Sequence, residues 1–309
     1  MNRTLAAVVT FNPDLDRLRQ NLTAIAGQVE AVLVFDNGSG NAEAVELLGR
    51  EFANLIVHRS PDNVGIAEAL NQVAAQARDH GFCWLLTLDQ DSVAAEGMVR
   101  ELLDVADAST AMVTPYIVDR NKMTVPEYHR LCLPRVEYYT QAARRGAITS
   151  GCLTSLRVLF EVGCFDAGFF IDYVDYDLNQ RVLLAGHRIA RANHTFLLHE
   201  VGRAERTWLR VPRKGLDGRW RLERFYTFGH SAFRCYYKAR NRVLFTRKYG
   251  RRIGVTHEGI WQIPQQIALT LLFETDRRPK LAAFVRGIRD GVRMPIAPRE
   301  PHERPDRAR

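Results

Sequence analysis

The sequence predicts an α/β fold with a mostly parallel central sheet, flanking helices and a helical extension at its C-terminal end. Three observations carry this. Short apolar runs alternate with amphipathic stretches over the first hundred residues. Polar and acidic residues recur where those runs end. Charge then changes sign: residues 1–200 hold 17 Lys and Arg against 25 Asp and Glu, whereas residues 201–309 hold 26 against 10.

Leu5–Phe11 reads as the first strand. Asp14–Val29 reads as an amphipathic helix, with Leu15, Leu18, Leu22, Ile25 and Val29 at three- and four-residue steps. Ala31–Phe35 is a second strand closed by the turn signal Asp36-Asn37-Gly38. A helix over 42–51, a strand at Asn54–Arg59 and a helix ending at Gly81 follow. Phe82–Leu88 is the fourth strand and runs into Asp89-Gln90-Asp91. Farther on, Ala111–Pro115 and Ile148–Leu156 read as strands, and 119–146 as a loop or hairpin region. An acidic helix ends at Gly186, and Phe196–His199 is another strand. From about 203 the chain is basic and aromatic, with helices ending at Gly250, over 256–275 and over Pro279–Val292. The Pro- and Arg-rich tail, 293–309, has the composition of a disordered segment.

At 309 residues, with 46% hydrophobic and 25% charged content, the chain can bury one sizeable core with extensions. The N-terminal apolar run stops at Asn12-Pro13, too early for a signal peptide, and no stretch reaches the roughly 18 apolar residues of a membrane span. Five cysteines with no CxxC spacing read as reduced, mostly buried thiols of a cytoplasmic protein.

The chemistry gathers at strand ends, where open α/β sheets bind ligands. In LLTLDQDS, residues 85–92, two carboxylates one residue apart follow an apolar strand. Mg2+ or Mn2+ needs hard oxygen ligands and often holds substrate phosphates through one or two carboxylates. Asn12 and Asp36, in VVTFNP and FDNGS, can hydrogen-bond a base or ribose, or serve only as turn residues. In DNVGIAEALNQ, Gly65 opens a helix with free backbone N–H groups, and Asn63 lines that opening or caps the helix. In FFIDYVDYDLNQR, Asp172, Asp175 and Asp177 crowd together, so like charges can raise one carboxyl into the range of a general base; the alternative is stabilisation of a helix N-terminus. His199 ends an apolar strand, as a structural residue or as a metal ligand. Neither a GK[ST] phosphate loop nor a GxGxxG turn is present, which argues against ATP motors and dinucleotide-dependent dehydrogenases.

In order, VVTFNP, VFDNGS, NVGIAEALN, LDQDS, FFIDYVDYDLNQR, LLHEVG and YYKARNRV resemble the inverting family 2 glycosyltransferases of the GT-A fold. Within them the set looks most like bacterial rhamnosyltransferases. The resemblance implies a catalytic domain over 1–202, with nucleotide-sugar binding over about 1–110 and the acceptor side over about 111–202. A basic helical region over 203–292 and the tail would follow. It implies nucleotide-sugar contacts from Thr10, Phe11, Asn12, Asp36, Asn63, Gly65, Asp89, Gln90 and Asp91. It makes Asp89, Asp91 and His199 ligands to Mn2+ or Mg2+, and an acceptor-helix carboxylate the base. Many relatives carry two adjacent acids there. Here Tyr173 stands where the second acid often lies, leaving Asp172 and Asp175, with Asp172 slightly favoured because it comes first at the loop edge. Arg234, Tyr237, Arg240 and Asn241 are candidate diphosphate or acceptor contacts.

The expected donor is dTDP-rhamnose, with a UDP-sugar as the near alternative. The expected acceptor is a glycan or lipid-linked saccharide, with peripheral contact at the inner face of the plasma membrane through the basic helices and tail. Those helices are also where a second copy would pair. Nucleotidyltransferases are disfavoured because the first strand ends in TFNP and not in a Gly-rich basic loop. A nucleic-acid or membrane binding protein would explain the basic C-terminal part but leave the strand-end acids without purpose.

Overall fold

The computed structural model describes residues 3–139, 146–200, 205–214, 220–227, 229–253 and 259–296. The described chain forms two compact units, which divide between Gly229 and His230.

The first unit opens with β1 (Thr4–Thr10), α1 (Leu15–Ala26), β2 (Ala31–Asn37), α2 (Ala42–Gly49), β3 (Leu55–Ser60), α3 (Ile66–Asp79) and β4 (Trp84–Asp89). β1, β2 and most of β4 are buried along their length, as apolar runs covered by helices on both faces should be. Asp14 caps α1 by accepting from the backbone N–H groups of Asp16 and Arg17. That helix turns Leu18, Leu22 and Ile25 into the core, each contributing about 1.5–3 kcal/mol by burial.

Next come β5 (Val93–Ala94), α4 (Met98–Val105), β6 (Thr110–Asp119), the single turn α5 (Val125–Tyr128), β7 (Val136–Tyr139), β8 (Cys152–Ser155) and α6 (Leu156–Glu161). A 3-10 turn at Ala167–Phe169, α7 (Val174–Leu184) and β9 (Arg188–His199) complete the main sheet. Its strand order is β3-β2-β1-β4-β8-β6-β9-β5, with β7 also on β9. Pairing is parallel through β3-β2-β1-β4, as the strand–helix alternation predicts. Beyond β4 the sheet is mixed, because β8 enters antiparallel between β4 and β6. Among the described residues no crossover helix leads into β8, so the parallel rule stops there. The expected loop or hairpin region at 119–146 contains α5 and β7, and residues 140–145 lie outside the described residues.

Residues 203–229, grouped on charge with the basic helices, contain strand β10 (Glu205–Lys214) paired antiparallel with β11 (Trp220–Thr227). They cluster with the first unit, so the helical unit begins near residue 230 and not at 203. That correction has a physical basis: net charge does not report secondary structure, and TWLRV contains the β-branched and aromatic residues Thr207, Trp208 and Val211, which suit a strand.

The second unit comprises α8 (Ala232–Ile253), α9 (Gln262–Phe273) and α10 (Arg277–Arg293). α8 and α10 approach closely because Gly287 and Gly291 have no side chain: a Cβ on them would stand 2.3 Å from the Tyr236 carbonyl oxygen and 2.6 Å from that of Arg240. Among the described residues no helix is long and apolar enough to cross a membrane. All five cysteines are free, but only Cys152 and Cys235 are buried, and Cys83 and Cys132 are exposed. The tail from residue 297 onward lies outside the described residues.

Candidate active site

Parallel register aligns the strand ends. Thr10 pairs with Asp36, and Val9 with Asp89, so the polar residues after β1, β2 and β4 share one edge of the sheet. His199 reaches this edge from the far end of the chain, because β9 pairs antiparallel with β5, Leu198 opposite Val93. One ligand atom from each of Asp89, Asp91 and His199 lies within 4.8 Å of the others. His199 Nδ1 stands 3.9 Å from Asp89 Oδ2. Two carboxylates and one imidazole within that span suit Mn2+ or Mg2+, so the residues fit the ion that the sequence predicts.

A polar framework holds this triad. Ser92 Oγ lies 3.0 Å from His199 Nδ1 and 2.8 Å from Ser150 Oγ. Ser150 Oγ accepts from the Asp89 backbone N–H at 3.0 Å. Buried Asn21 donates through Nδ2 to the carbonyl oxygens of Asp89 and Ser92, at 2.8 and 2.7 Å. Arg17 pairs with Glu200, next to His199 in the chain, and feels the charge of Asp91. Sequence reasoning singled out none of Asn21, Ser92, Ser150, Arg17 or Glu200. Asn21 did carry a signal, because it stands on the apolar phase of α1 between Leu18 and Leu22.

The residues expected to contact a nucleotide behave in two ways. Asp36 is buried, and both its oxygens are engaged: Oδ1 accepts from the Thr10 hydroxyl at 3.1 Å and Oδ2 from the Ser39 N–H at 3.1 Å. It therefore shapes the β2 turn and orients Thr10. Phe11 is 48% exposed, and its backbone N–H donates to Gln90 Oε1 at 2.8 Å, linking the ends of β1 and β4. Asn12 adopts φ 46°, donates its N–H to Ser39 Oγ and accepts from the Gly40 N–H, both at 2.8 Å.

Asn63 Oδ1 accepts from the Gly65 N–H at 3.0 Å and from Asn37 Nδ2 at 3.2 Å. It tightens the turn ahead of α3 and does not cap the helix itself. Gly65 has φ +85°, and a Cβ there would meet the Phe170 ring at 2.6 Å. The Ile66 N–H donates to the Phe170 carbonyl at 2.7 Å. Asn71, on α3, bonds the Phe165 backbone in both directions, at 2.8 and 2.9 Å. α3 thus clamps the loop that leads to the acidic helix.

That loop places Phe170, Asp172 and Tyr173 at positive φ, which costs on the order of 1 kcal/mol or more at each. The three acids divide their tasks. Asp177 is fully buried and pairs with Arg181, one turn on, at 2.8 Å, while Arg181 Nη1 also reaches the Val162 carbonyl. Asp175 is partly covered in the first turn of α7, and its Oδ1 accepts from the Tyr176 N–H at 2.9 Å. Burial chiefly, with help from the charges of Asp172 and Asp89 and against the Tyr176 hydrogen bond, pushes its carboxyl from 3.8 up to about 7. Asp172 lies at the loop edge, partly exposed.

Arg234, Tyr237, Arg240 and Asn241 belong to α8 of the second unit. There the Arg240 guanidinium lies 4.5 Å from the centre of the Tyr237 ring and donates from Nε to buried Asn241 at 2.9 Å, while Arg234 is exposed.

The model of glycosyl transferase family 2 matches residues 6–162, just over half the chain. The chain is 27% identical over 254 residues to dTDP-rhamnosyl transferase RfbF of Shigella flexneri, covering 79% of each protein. TarS 1–349 of S. aureus in complex with UDP-GlcNAc superposes with TM-score 0.55 at 13% identity, covering 93% of this chain and 81% of that one. GalNAc-T7 with UDP, GalNAc and Mn2+ gives TM-score 0.51 at 14% identity over 64% of this chain, which spans 43% of that protein. These likenesses establish the fold as GT-A. With the family match across β1 to α6, they make the chain a glycosyltransferase belonging to glycosyl transferase family 2.

Proposed function

We propose that this glycosyltransferase moves L-rhamnose from dTDP-rhamnose to a hydroxyl of a glycan or lipid-linked saccharide, with inversion, in the building of a cell-surface polysaccharide. The observation that supports transfer most is the meeting of Asp89, Asp91 and His199 at the carboxyl edge of the sheet. Similarity to RfbF supports the choice of donor. Asp89, Asp91 and His199 would hold Mn2+ or Mg2+, which would supply positive charge to the departing diphosphate.

The chain's own residues do the rest. Phe11, exposed at the edge, stacks on the base, and Asn12 and Gln90 line the nucleotide beside it, while Thr10, fully buried, and Asp36 fix the turn from beneath. Asn63 and Gly65 shape the pocket floor and hold the Phe170 loop. Asp175 takes the proton of the acceptor hydroxyl, because a carboxyl lifted to about 7 is half ionised near neutrality and still basic enough to accept it. Asp172, at the loop edge, orients that hydroxyl. The acceptor oxygen bonds to the anomeric carbon as the bond to the diphosphate oxygen breaks, and no covalent enzyme intermediate forms. The five free thiols suit a reducing compartment, and the setting proposed is the cytoplasmic face of the membrane.

The test is release of nucleoside diphosphate from dTDP-rhamnose, UDP-glucose and UDP-N-acetylglucosamine with Mn2+ present. Preference for dTDP-rhamnose by a factor on the order of ten or more is expected. Preference for a UDP-sugar would overturn the donor, and release of pyrophosphate would point to nucleotidyl transfer instead.

A further inference from the structure

We propose that the outer face of the β10–β11 hairpin docks on an anionic lipid surface. Along β10 exposure alternates: Thr207 is buried, Trp208 is 77% exposed, Leu209 and Val211 are half-buried, and Arg210 and Pro212 are exposed. The register sets Arg224 opposite Arg210, Leu222 opposite Pro212 and Trp220 opposite Lys214. Directly opposed residues of an antiparallel pair share a face. Arg210, Pro212, Trp220, Leu222 and Arg224 therefore present one surface, and Trp208, inside the register shift between Arg206 and Arg210, joins it by the alternation of exposure along β10. Trp220 is 70% and Leu222 68% exposed.

Three large apolar side chains spread in water beside two guanidinium groups are costly in a free monomer and mark an interaction surface. Tryptophan settles at the headgroup level of a bilayer, where its ring is dry and its N–H wet. Arginine beside it meets lipid phosphates. Glu223 pairs with Val211 and lies on the opposite face, so the acid is kept away from the anionic surface. Single-stranded RNA is the competing occupant of an aromatic, basic strand pair. Leu222 and Pro212 stand between the tryptophans and offer no ring face for base stacking, which favours lipid. The inference sharpens the membrane-face setting proposed above, and its test does not depend on sugar transfer.

The full chain is sedimented with phosphatidylglycerol–phosphatidylcholine vesicles, with phosphatidylcholine vesicles and, separately, mixed with single-stranded RNA. Two variants accompany it, Arg210→Gln with Arg224→Gln, and Trp208→Ser with Trp220→Ser and Leu222→Ser. Wild type should bind the anionic vesicles well above the neutral ones. Losing the two charges should weaken that binding by about 30-fold, and losing the three apolar groups by on the order of a hundredfold. Nucleotide binding should stay at the wild-type level in both variants, which separates this surface from the active site and shows that they fold. Vesicle binding unchanged in both variants, no vesicle binding by wild type, or binding to RNA in place of vesicles would each overturn the proposal.

Discussion

Asp175→Asn keeps the shape of the side chain and removes the proton it exchanges. In the folded protein the carboxyl titrates at about 7, against its ordinary 3.8. The native state therefore holds that proton more tightly than the unfolded chain does. Its stabilising effect is complete below pH 3.8 and is lost as pH rises to about 7. At about 1.4 kcal/mol per pH unit, the whole window is worth up to about 4 kcal/mol, of which some 2–3 kcal/mol falls between pH 5 and pH 8. Asparagine pays no such cost. The variant should gain on wild type by that amount between those pH values, read from urea melts in EDTA so that no cation offsets the Asp89 charge. With Mn2+ restored and the Asp89 charge offset, wild-type turnover should climb as Asp175 ionises at or below about pH 7, and the variant should lose roughly 10²–10⁴-fold in kcat. A stability difference that does not change with pH, or turnover kept within tenfold of wild type, would refute the reasoning.

Other substitutions probe the supports. Ser92→Ala removes the group 3.0 Å from His199 Nδ1 and should weaken Mn2+ binding by about 10–100-fold, measured by calorimetry with nucleoside diphosphate present. Gly65→Ala forces a Cβ to within 2.6 Å of the Phe170 ring at φ +85° and should cost about 1–3 kcal/mol in a urea melt. Asp177→Asn leaves half-buried Arg181 without its buried anionic partner and should destabilise the fold by about 3 kcal/mol, seen as a lower thermal midpoint.

Much of the site can be read from the chain because its signals are local. An apolar run followed by Asp89-Gln90-Asp91 marks a strand and its carboxyl end together, and the strand–helix alternation then puts Asp36 and Asp89 on one edge. What stays hidden depends on distant pairing. Cys152 meets Thr87 only because β8 inserts antiparallel beside β4, and no local pattern announces that partner. The framework of Ser92, Ser150 and Asn21 depends on the same long-range placement. Asp36 shows a different limit: the motif is evident, but only the fold reveals that both carboxylate oxygens face inward. Nor can the order Asp172, Tyr173, Val174, Asp175 tell the two acids apart, because only the fold puts Asp175 in the first turn of α7, where its carboxyl is pushed up, and Asp172 at the loop edge. The hairpin at 205–227 was obscured because its many arginines group it with the helices that follow.

The central claim is that Asp89, Asp91 and His199 hold the divalent ion on which sugar transfer depends. Its most direct test follows nucleoside-diphosphate release and Mn2+ binding together, for wild type and Asp91→Ala, in EDTA and after Mn2+ is restored. Wild type should fall silent in EDTA and recover with Mn2+, while Asp91→Ala should lose on the order of a hundredfold in both metal affinity and release. Undiminished release in EDTA, and by Asp91→Ala, would contradict it.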